Sequence, residues 1–415
     1  MPPAGKLPFL ILPVLRPRRY PGSSWQALWL PFAVFRSTRS ARPRTISAPY
    51  SVLHAILYSC SLEILSNISL APFTTFGIGG PARWFVEAAN EEEIVEATSW
   101  ARERGVPLFV LGGGSNLLVS DTGFDGLVLR VAIHGISWVD ASSLPGEPDQ
   151  RIYQVAAGED WNHCVAQTIQ DSCAGLECLS GIPGSAGGTP VQNVGAYGQE
   201  VSSVIERVRA FDLNERIFVE FTADECGFGY RRSRFNTTDR GRLIVTRVDY
   251  RLTPGGAPTL HYADVQREIE TSVPGGALPT IAQVAAAVER IRRAKGMLIV
   301  EGDPDSRSAG SFFKNPVVSE DKVRQIAEIS AVQPPRFPTG AGQVKLPAAW
   351  LIEQAGFSKG YALGAAGISS RHTLALINRG GAGAEDVVAL AKQIMVAVEA
   401  RFDIRLEMEP VLVGF

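Results

Sequence analysis

The residues best suited to chemistry lie in a glycine-rich stretch, residues 180–200, which reads SGIPGSAGGTPVQNVGAYGQE. Glycine tolerates positive φ angles and lets the backbone approach a ligand without a Cβ in the way. The stretch carries almost no charge, and Ser185, Thr189, Gln192 and Asn193 supply neutral hydrogen-bond donors and acceptors. Such a segment suits a large, flat cofactor with polar edges. Taken alone, it is also compatible with a surface loop or linker.

A second glycine cluster, LGGGSNLLVSD at residues 111–121, directly follows the apolar run 106–110, which is predicted to be a buried strand. Successive backbone N–H groups in a tight turn form an anion-binding concavity, and Ser115 and Asn116 can add side-chain donors. The Walker signature requires a lysine after its second glycine, and none follows here, which argues against an NTPase loop. The cluster therefore predicts a phosphate-binding turn of another kind.

A formal GxGxxA match occurs at Gly77, Gly79 and Ala82. Pro81 interrupts it, and residues 83–87, RWFVE, are predicted to form a strand. A Rossmann dinucleotide site needs a helix at this point, so the match is not interpreted as one.

Length and composition indicate an ordinary globular protein. A chain of 415 residues allows two or three domains, and 45% hydrophobic and 20% charged residues are typical values for this class. The five cysteines form no CxxC pair, which favours a reducing compartment and argues against disulfides or a structural zinc site. The five histidines are scattered. We therefore expect a cytoplasmic protein without a metal centre.

Charge is distributed unevenly along the chain. Residues 1–62 contain eight of the 40 basic residues and none of the 42 acidic ones, so the remainder carries a net charge of −10. An acidic body does not favour nucleic-acid binding. The apolar runs of the leader are too short to span a membrane. We expect residues 1–60 to be disordered or an upstream extension from a misplaced start codon, with a transit peptide as the alternative.

The remaining sequence alternates between predicted helices and strands. Asn90 and three following glutamates predict a helix that ends before Gly105, and Thr280 with Gln283 forms a capping box for a helix to Ala294. Further helices are predicted from Asp160 through Cys173, at 346–354 and at 384–402. Strands are predicted at 106–111, 126–131, 152–156, 204–211, 217–221 and 243–252.

Seven motifs occur in order from about Ser61 to the C-terminus: LAPFTTFGIGGPARWF, LGGGSNLLVSD, GLECLSGIPGSAGGTPVQNVGAYG, CGFGYRRSRF, SAGSFFKNPVV, KLPAAWLIEQAG and LEMEPVLVG. Together they resemble the UDP-N-acetylenolpyruvoylglucosamine reductases, flavoenzymes of peptidoglycan synthesis. The resemblance implies an α+β fold: a two-part FAD-binding module of the p-cresol methylhydroxylase type, followed by a C-terminal α/β substrate-binding domain. It implies divisions at residues 61–133, 134–290, 291–405 and 406–415, after the leader at 1–60.

The resemblance also implies the cofactors. NADPH would reduce FAD, the LGGGSN cluster would hold the FAD pyrophosphate, and the long glycine stretch would surround the rest. No histidine or cysteine lies in a motif for covalent flavin attachment, so we expect noncovalent FAD. The positions assigned to FAD are Gly112, Gly113, Gly114, Ser115, Asn116, Gly181, Gly184, Ser185, Gly188, Thr189, Gln192, Asn193, Gly195 and Ala196.

Reduction of an enolpyruvyl ether requires hydride on the terminal carbon, stabilisation of the resulting carbanion beside its carboxylate, and a proton. By resemblance, Ser311 in GSFFKNP is the proton donor, and Arg231 with Glu409 stabilises the enolic intermediate. Only the alignment of YRRS with the family's Tyr-Arg-x-Ser favours Arg231 over Arg232. A second anion beside developing negative charge should repel it, so Glu409 is expected to be protonated or bonded to Arg231.

The substrate implied by the resemblance is a nucleotide sugar, and the protein is expected to be a monomer. Positions assigned to substrate are Tyr230, Tyr262, Lys295, Asn315 and Gln354. Tyr262 in LHYADV matches a tyrosine that folds over the substrate diphosphate in the family's first type.

Two other functions are compatible with the same fold. A different FAD enzyme, such as an alcohol or aldonolactone oxidase, is not expected to contain GSFFKNP together with LEMEP. A catalytically silent flavin- or nucleotide-binding protein would not need Arg231, Ser311 and Glu409 together.

Overall fold

The computed structural model describes residues 62–141, 149–273, 277–340 and 342–415. The predicted leader lies outside the described residues. Within these ranges the strands are β1 (Leu65–Ser69), β2 (Pro81–Ala88), β3 (Leu108–Leu111), β4 (Leu117–Val119), β5 (Phe124–Val131), β6 (Ile136–Ala141), β7 (Gln150–Ala156), β8 (Cys173–Ala174), β9 (Gly195–Ala196), β10 (Gln199–Glu200), β11 (Ile205–Asp212), β12 (Ile217–Thr222), β13 (Leu243–Pro254), β14 (Val317–Ser319), β15 (Phe337–Gly340), β16 (Gln343–Lys345), β17 (Ala362–Leu363), β18 (Ala366–Ile368), β19 (Leu376–Asn378) and β20 (Val411–Val413). The helices are α1 (Glu91–Glu103), α2 (Trp161–Gln170), α3 (Ala263–Ser272), α4 (Ile281–Ala294), α5 (Glu320–Ser330), α6 (Ala348–Gln354) and α7 (Ala384–Phe402).

The first sheet has the strand order β1-β2-β5-β3, with β2, β5 and β3 parallel. Helix α1 connects β2 to β3, as parallel strands require a crossover. Its start is fixed by Asn90, whose side-chain oxygen accepts the Glu93 N–H at 2.8 Å. Ile94 and Ala97 of α1 are buried in the core shared with this sheet. The predicted α1 and its cap are confirmed.

The second sheet is antiparallel in the order β12-β11-β13-β7-β6. Its core is continuous with that of the first sheet, because Leu127 of β5, Val248 of β13 and Trp161 of α2 belong to one buried cluster. The glycine-rich stretch stays on this core, because Ala186 belongs to the same buried cluster and Val191 and Val194 pack against it. The long glycine stretch is therefore anchored on this core, and the first glycine cluster follows β3 of the adjoining sheet.

The predicted helix from Asp160 through Cys173 is wrong at its end. Helix α2 stops at Gln170, and Ser172 adopts a left-handed φ of +54°. Cys173 and Ala174 then pair with Pro254 and Thr253 as β8. Since one left-handed residue ends a helix, the apolar periodicity could not show where α2 stops.

The C-terminal part has its own apolar core. Helix α7 buries Val387, Leu390, Ile394 and Val398 in it, along the face that the sequence predicted. Strand β20 then returns to the first part and pairs in parallel with β4. The mixed α+β class is confirmed, whereas the predicted residue limits of the subdomains stay predictions.

None of the helices in the described ranges is both long and apolar enough to cross a membrane. In the same ranges, no group of three or more His, Cys, Asp or Glu side chains is placed to hold a metal ion.

Candidate active site

The two glycine clusters are in direct backbone contact. A Cβ added at Gly113 would lie 2.5 Å from the Cα and carbonyl carbon of Gly184, closer than real carbon atoms approach. Glycine is therefore required at residue 113 by the neighbouring loop itself. The two glycine clusters therefore form one continuous surface, here called the cradle, and its binding of cofactor phosphates stays a prediction.

Two serine hydroxyls lie at this junction. Ser185 Oγ is buried and has no hydrogen-bond partner among the described residues, and it lies 3.0 Å from the position of a Cβ at Gly112. Ser115 Oγ lies at the same distance from a Cβ position at Gly184. A buried hydroxyl without a partner is costly unless a ligand satisfies it. The junction thus fits the phosphate groups of a cofactor such as FAD.

Four of the polar residues assigned to the cofactor form hydrogen bonds within the protein. Asn116 Nδ2 donates to Gln192 Oε1 at 2.6 Å and to the Glu409 carbonyl at 3.2 Å. Thr189 Oγ1 donates to the Ala186 carbonyl at 2.8 Å, and Asn193 Nδ2 donates to Glu200 Oε2 at 2.9 Å. These side chains hold the glycine stretch in shape. Direct contact of the assigned positions with FAD stays a prediction.

Arg231 lies in a tight turn. The backbones of Gly229 and Arg232 exchange hydrogen bonds of 2.9 and 3.1 Å, which leaves Tyr230 and Arg231 as the two loop residues. Arg231 has a φ of +54°, a conformation that is uncommon for residues other than glycine. Its Nη2 donates to the Gly195 carbonyl at 3.1 Å, whereas Arg232 is exposed. The turn therefore places Arg231, and not Arg232, against the glycine stretch.

Arg231 forms an ion pair with Glu409. Arg231 Nε and Glu409 Oε1 are 2.8 Å apart, and the side chains are 21% and 10% exposed. The Nε–H does not point at this oxygen and has no hydrogen-bond acceptor within the described part of the chain. Burial raises the pKa of Glu409, against the opposing effect of the positive charges of Arg231 and Lys314. The pair thus combines three features: a guanidinium that is held in place, an Arg231 Nε–H that is free to donate, and a carboxyl group with a raised pKa.

Ser311 lies beside Glu409 through the backbone. The next residue, Phe312, accepts the Glu409 N–H at 2.9 Å, and Phe313 bridges to Met408. Thr75 connects this segment to the cofactor cradle, because its hydroxyl donates to the Ser308 carbonyl at 2.6 Å. The fold therefore brings Arg231 into contact with Glu409 and places the backbone next to Ser311 beside Glu409, from three distant segments.

The residues assigned to substrate lie in two groups. In the first, Lys345 Nζ lies 4.5 Å above the Tyr230 ring, and Asn315 Oδ1 accepts the N–H of Ala348, the first residue of α6. Gln354 ends the same helix, about 9 Å away at 1.5 Å per residue. These positions could contact one extended ligand at several points.

The second group surrounds Tyr197. Its ring packs edge-on against Tyr262, with ring centroids 5.4 Å apart, and Lys295 Nζ lies 5.8 Å from the Tyr197 ring. Lys295 also donates to Asp264 Oδ2 at 3.0 Å. Tyr197 follows Ala196 directly, so this group adjoins the end of the glycine stretch that Arg231 contacts.

Sequence reasoning missed Arg292 and His372, which neighbour the second group. Arg292 is 5% exposed and lies in α4 four residues after the buried Val288, which itself follows Val284 by four. An arginine in register with an apolar helix face is a signal that could have identified it. His372 has no comparable signal, because it lies in a loop before β19.

Comparison with known proteins agrees with this geometry. A family model described as FAD binding domain matches residues 82–219, and one described as the C-terminal domain of UDP-N-acetylenolpyruvoylglucosamine reductase matches residues 303–413. The cradle and the first match define a FAD-binding protein with a second, C-terminal domain.

Full-length relatives specify the family. The chain is 41% identical to the UDP-N-acetylenolpyruvoylglucosamine reductase of Streptomyces coelicolor over 91% of its own length and 96% of the relative. It is 45% identical to the Nocardia farcinica reductase over 86% of this chain and 92% of that one. A crystal structure of the Thermus caldophilus reductase is 28% identical, covers 85% of this chain and 99% of its own, and gives a TM-score of 0.56. The chain belongs to the UDP-N-acetylenolpyruvoylglucosamine reductases.

Proposed function

We propose that this protein reduces the enolpyruvyl double bond of UDP-N-acetylglucosamine enolpyruvate, giving UDP-N-acetylmuramate for peptidoglycan synthesis, with NADPH as electron donor. The observation that carries the proposal is the meeting of Arg231, Glu409 and the Ser311 segment beside the glycine cradle. An oxidase of the same fold is not expected to contain GSFFKNP together with LEMEP, the two motifs that supply Ser311 and Glu409.

When bound, FAD supplies the hydride that it has received from NADPH. Arg231 binds the substrate carboxylate, for which a planar guanidinium with an unspent Nε–H is suited. As negative charge develops next to that carboxylate, the fixed positive charge stabilises it without reorganisation. The contacts to Glu409 and Gly195 keep the guanidinium in place before substrate arrives.

Ser311 donates the proton to the carbanion carbon. A serine hydroxyl is a weak acid in water, but it suffices against a carbanion when a nearby cation stabilises the alkoxide. Burial raises the pKa of Glu409, whereas Arg231 and Lys314 oppose that shift, and the pairing with Arg231 offsets the negative charge of the carboxylate beside the developing charge. Glu409 is thus proposed to orient Arg231 and to limit the negative charge at the site.

The nucleotide part of the substrate is proposed to extend along the Tyr230, Asn315 and Gln354 group towards Tyr262 and Lys295. Lys295 supplies the cation for a diphosphate, and its pairing with Asp264 holds it near Tyr197. A cytoplasmic, monomeric enzyme is part of the proposal. Support for a reducing compartment comes from the four described cysteines, which are buried thiols without disulfide partners within the described ranges.

The test separates the two half-reactions. Purified protein is reduced with NADPH under anaerobic conditions, UDP-N-acetylglucosamine enolpyruvate is added, and the visible flavin absorbance is followed. We expect rapid return of the oxidised spectrum. If the flavin is reoxidised only when oxygen is admitted, the oxidase function is favoured and the proposal fails.

Variants then test the residue roles. We expect Ser311→Ala to keep flavin reduction by NADPH while reoxidation by substrate slows about 10²- to 10⁴-fold, the range for general acid catalysis. Arg231→Gln is expected to slow reoxidation as well, whereas its neighbour Arg232→Gln is the matched control because Arg232 is exposed. Parental reoxidation in Ser311→Ala would show that Ser311 is not the proton donor.

A further inference from the structure

Glu177 is a buried carboxylate that joins three separate segments of the chain. Its residue is 1% exposed. Oε2 accepts the Gly175 N–H at 2.8 Å, and Oε1 accepts the Thr259 N–H at 2.7 Å and Gln199 Nε2 at 3.2 Å. A buried carboxylate is costly unless hydrogen-bond donors satisfy its oxygens, and here both oxygens have donors. The carboxylate therefore ties residue 259 to the two ends of the glycine-rich region.

Gln199 and Thr259 close this network. Gln199 is 5% exposed; its Oε1 accepts the Cys178 N–H at 2.9 Å, and its Nε2 also donates to Thr259 Oγ1 at 3.1 Å. The Thr259 carbonyl accepts the Cys178 thiol at 3.4 Å. Thr259 is thus held at its N–H, its hydroxyl and its carbonyl. Glu177, Gln199 and Thr259 are here called the latch.

The latch adjoins the two tyrosines of the second substrate group. Gln199 follows Tyr197 by two residues, and Thr259 precedes Tyr262 by three. The two tyrosine rings pack edge-on with centroids 5.4 Å apart, and Tyr262 is 40% exposed. Three residues span at most about 10 Å, so a shift at Thr259 is passed on to Tyr262. The latch holds the base of this segment and leaves the Tyr262 ring free to meet a ligand.

Apolar packing already fixes the helix that follows. Val265 and Ile269 of α3 belong to one buried cluster with Val284 and Val288 of α4. Such packing is non-directional, so it holds the helix without fixing the backbone before it. A satisfied polar network, by contrast, selects one arrangement of the groups that it joins. The contribution of the latch is therefore the position of residues 259–262.

We propose that the latch positions Tyr262 against the substrate diphosphate, so that Glu177, Gln199 and Thr259 govern substrate binding without touching the substrate. They are positioning residues, since a misplacement of about 1 Å is enough to lose a well-oriented contact. The inference rests on the proposed function, which assigns Tyr262 to the diphosphate.

The test measures binding of UDP to the oxidised, FAD-loaded protein by titration calorimetry. Thr259→Val is the primary variant, because it keeps the shape of the side chain and the backbone bond to Glu177 while removing the hydroxyl. We expect UDP binding to weaken about fivefold, within the range for loss of one neutral hydrogen bond. Gln199→Met removes every amide contact of the latch and is expected to weaken binding at least as much. Thr271→Val, at an exposed threonine of α3, is the matched control and should bind UDP as the parent does.

A double-mutant cycle shows whether the latch acts through Tyr262. In a Tyr262→Ala background we expect Thr259→Val to cause no further loss of UDP affinity, because the side chain that it positions is gone. Equal losses with and without Tyr262 would overturn the proposal, since a merely structural role would weaken binding in both backgrounds. Parental UDP affinity in Thr259→Val would overturn it as well.

Reoxidation kinetics separate this inference from the proposed function. With the enolpyruvyl substrate we expect Thr259→Val to raise the half-saturating substrate concentration about fivefold and to leave the limiting rate at the parental value. A slower limiting rate at an unchanged half-saturating concentration would contradict a positioning role. A parent protein whose reduced flavin does not respond to the substrate would refute the proposed function, whereas a responsive parent with an unaffected Thr259→Val variant would overturn the latch alone.

Discussion

The contact between the two glycine clusters gives the sharpest prediction. In Gly113→Ala the new Cβ would lie 2.5 Å from two carbon atoms of Gly184, whereas carbon atoms pack at about 3.5 Å. The two loops must therefore separate by about 1 Å. Overpacking of this kind costs about 1–3 kcal/mol. If FAD binding requires the parental spacing of the two loops, this cost is subtracted from the binding free energy. FAD affinity then falls by about 5- to 150-fold, since 1.4 kcal/mol corresponds to a factor of ten.

The assay is fluorescence titration of the apoprotein with FAD, alongside urea unfolding of the same apoprotein. Gly188→Ala is the matched control, because the nearest protein atom to a Cβ there is Ser185 Oγ at 3.9 Å. We expect Gly188→Ala to leave apoprotein stability unchanged, so any loss of FAD affinity in it arises from the cofactor itself. Parental FAD affinity and parental stability in Gly113→Ala would refute the cradle as described.

Two further predictions concern stability. Burial and nearby cations lower the pKa of His372 to about 4 from an ordinary 6.5. Between these two values the imidazole is protonated in the unfolded chain but stays neutral in the folded protein. Stability is then lost as pH falls, and urea unfolding should show that His372→Asn loses about 2 kcal/mol less than the parent between pH 7.5 and 5. His261→Asn, at an exposed histidine, should keep the parental pH dependence. Asp121 accepts the Ala384 N–H at 2.8 Å and so caps α7 from the cofactor-binding part, and Asp121→Ala should cost about 1 kcal/mol. Asp125→Ala, at a carboxylate that is 83% exposed, should cost under about 0.5 kcal/mol, and equal losses in both variants would contradict the cap.

Local signals in the sequence predicted the helices well. Asn90 and the Thr280 capping box mark the starts of α1 and α4 where the structure has them, because a cap depends on three or four adjacent residues. The predicted end of α2 was wrong because Cys173 and Ala174 pair with β13 and form the short strand β8. That pairing involves residues about 80 positions away, beyond the reach of a local pattern.

In the candidate site, too, local motifs were informative, whereas long-range contacts were not predictable from the sequence. Ordered motifs were enough to indicate Ser311, Glu409 and one of two adjacent arginines. The choice between the arginines needs the turn that exposes Arg232 and places Arg231 2.8 Å from Glu409. No motif predicted a role for Glu177, because its bonds to Gln199 and Thr259 form only in the folded chain.

The sequence by itself determined which residues can do chemistry and where the glycines allow the backbone to approach a cofactor, because these are properties of residue types and short spacings. Tertiary structure decided which of them meet. Gly113 touches Gly184, and the Ser311 segment lies beside Glu409, because strand pairing and packing in shared apolar cores bring distant segments of the chain together. The pairing of β20 with β4 is one example. Burial also decided the charges, since the packing around them raises the pKa of Glu409 and lowers that of His372.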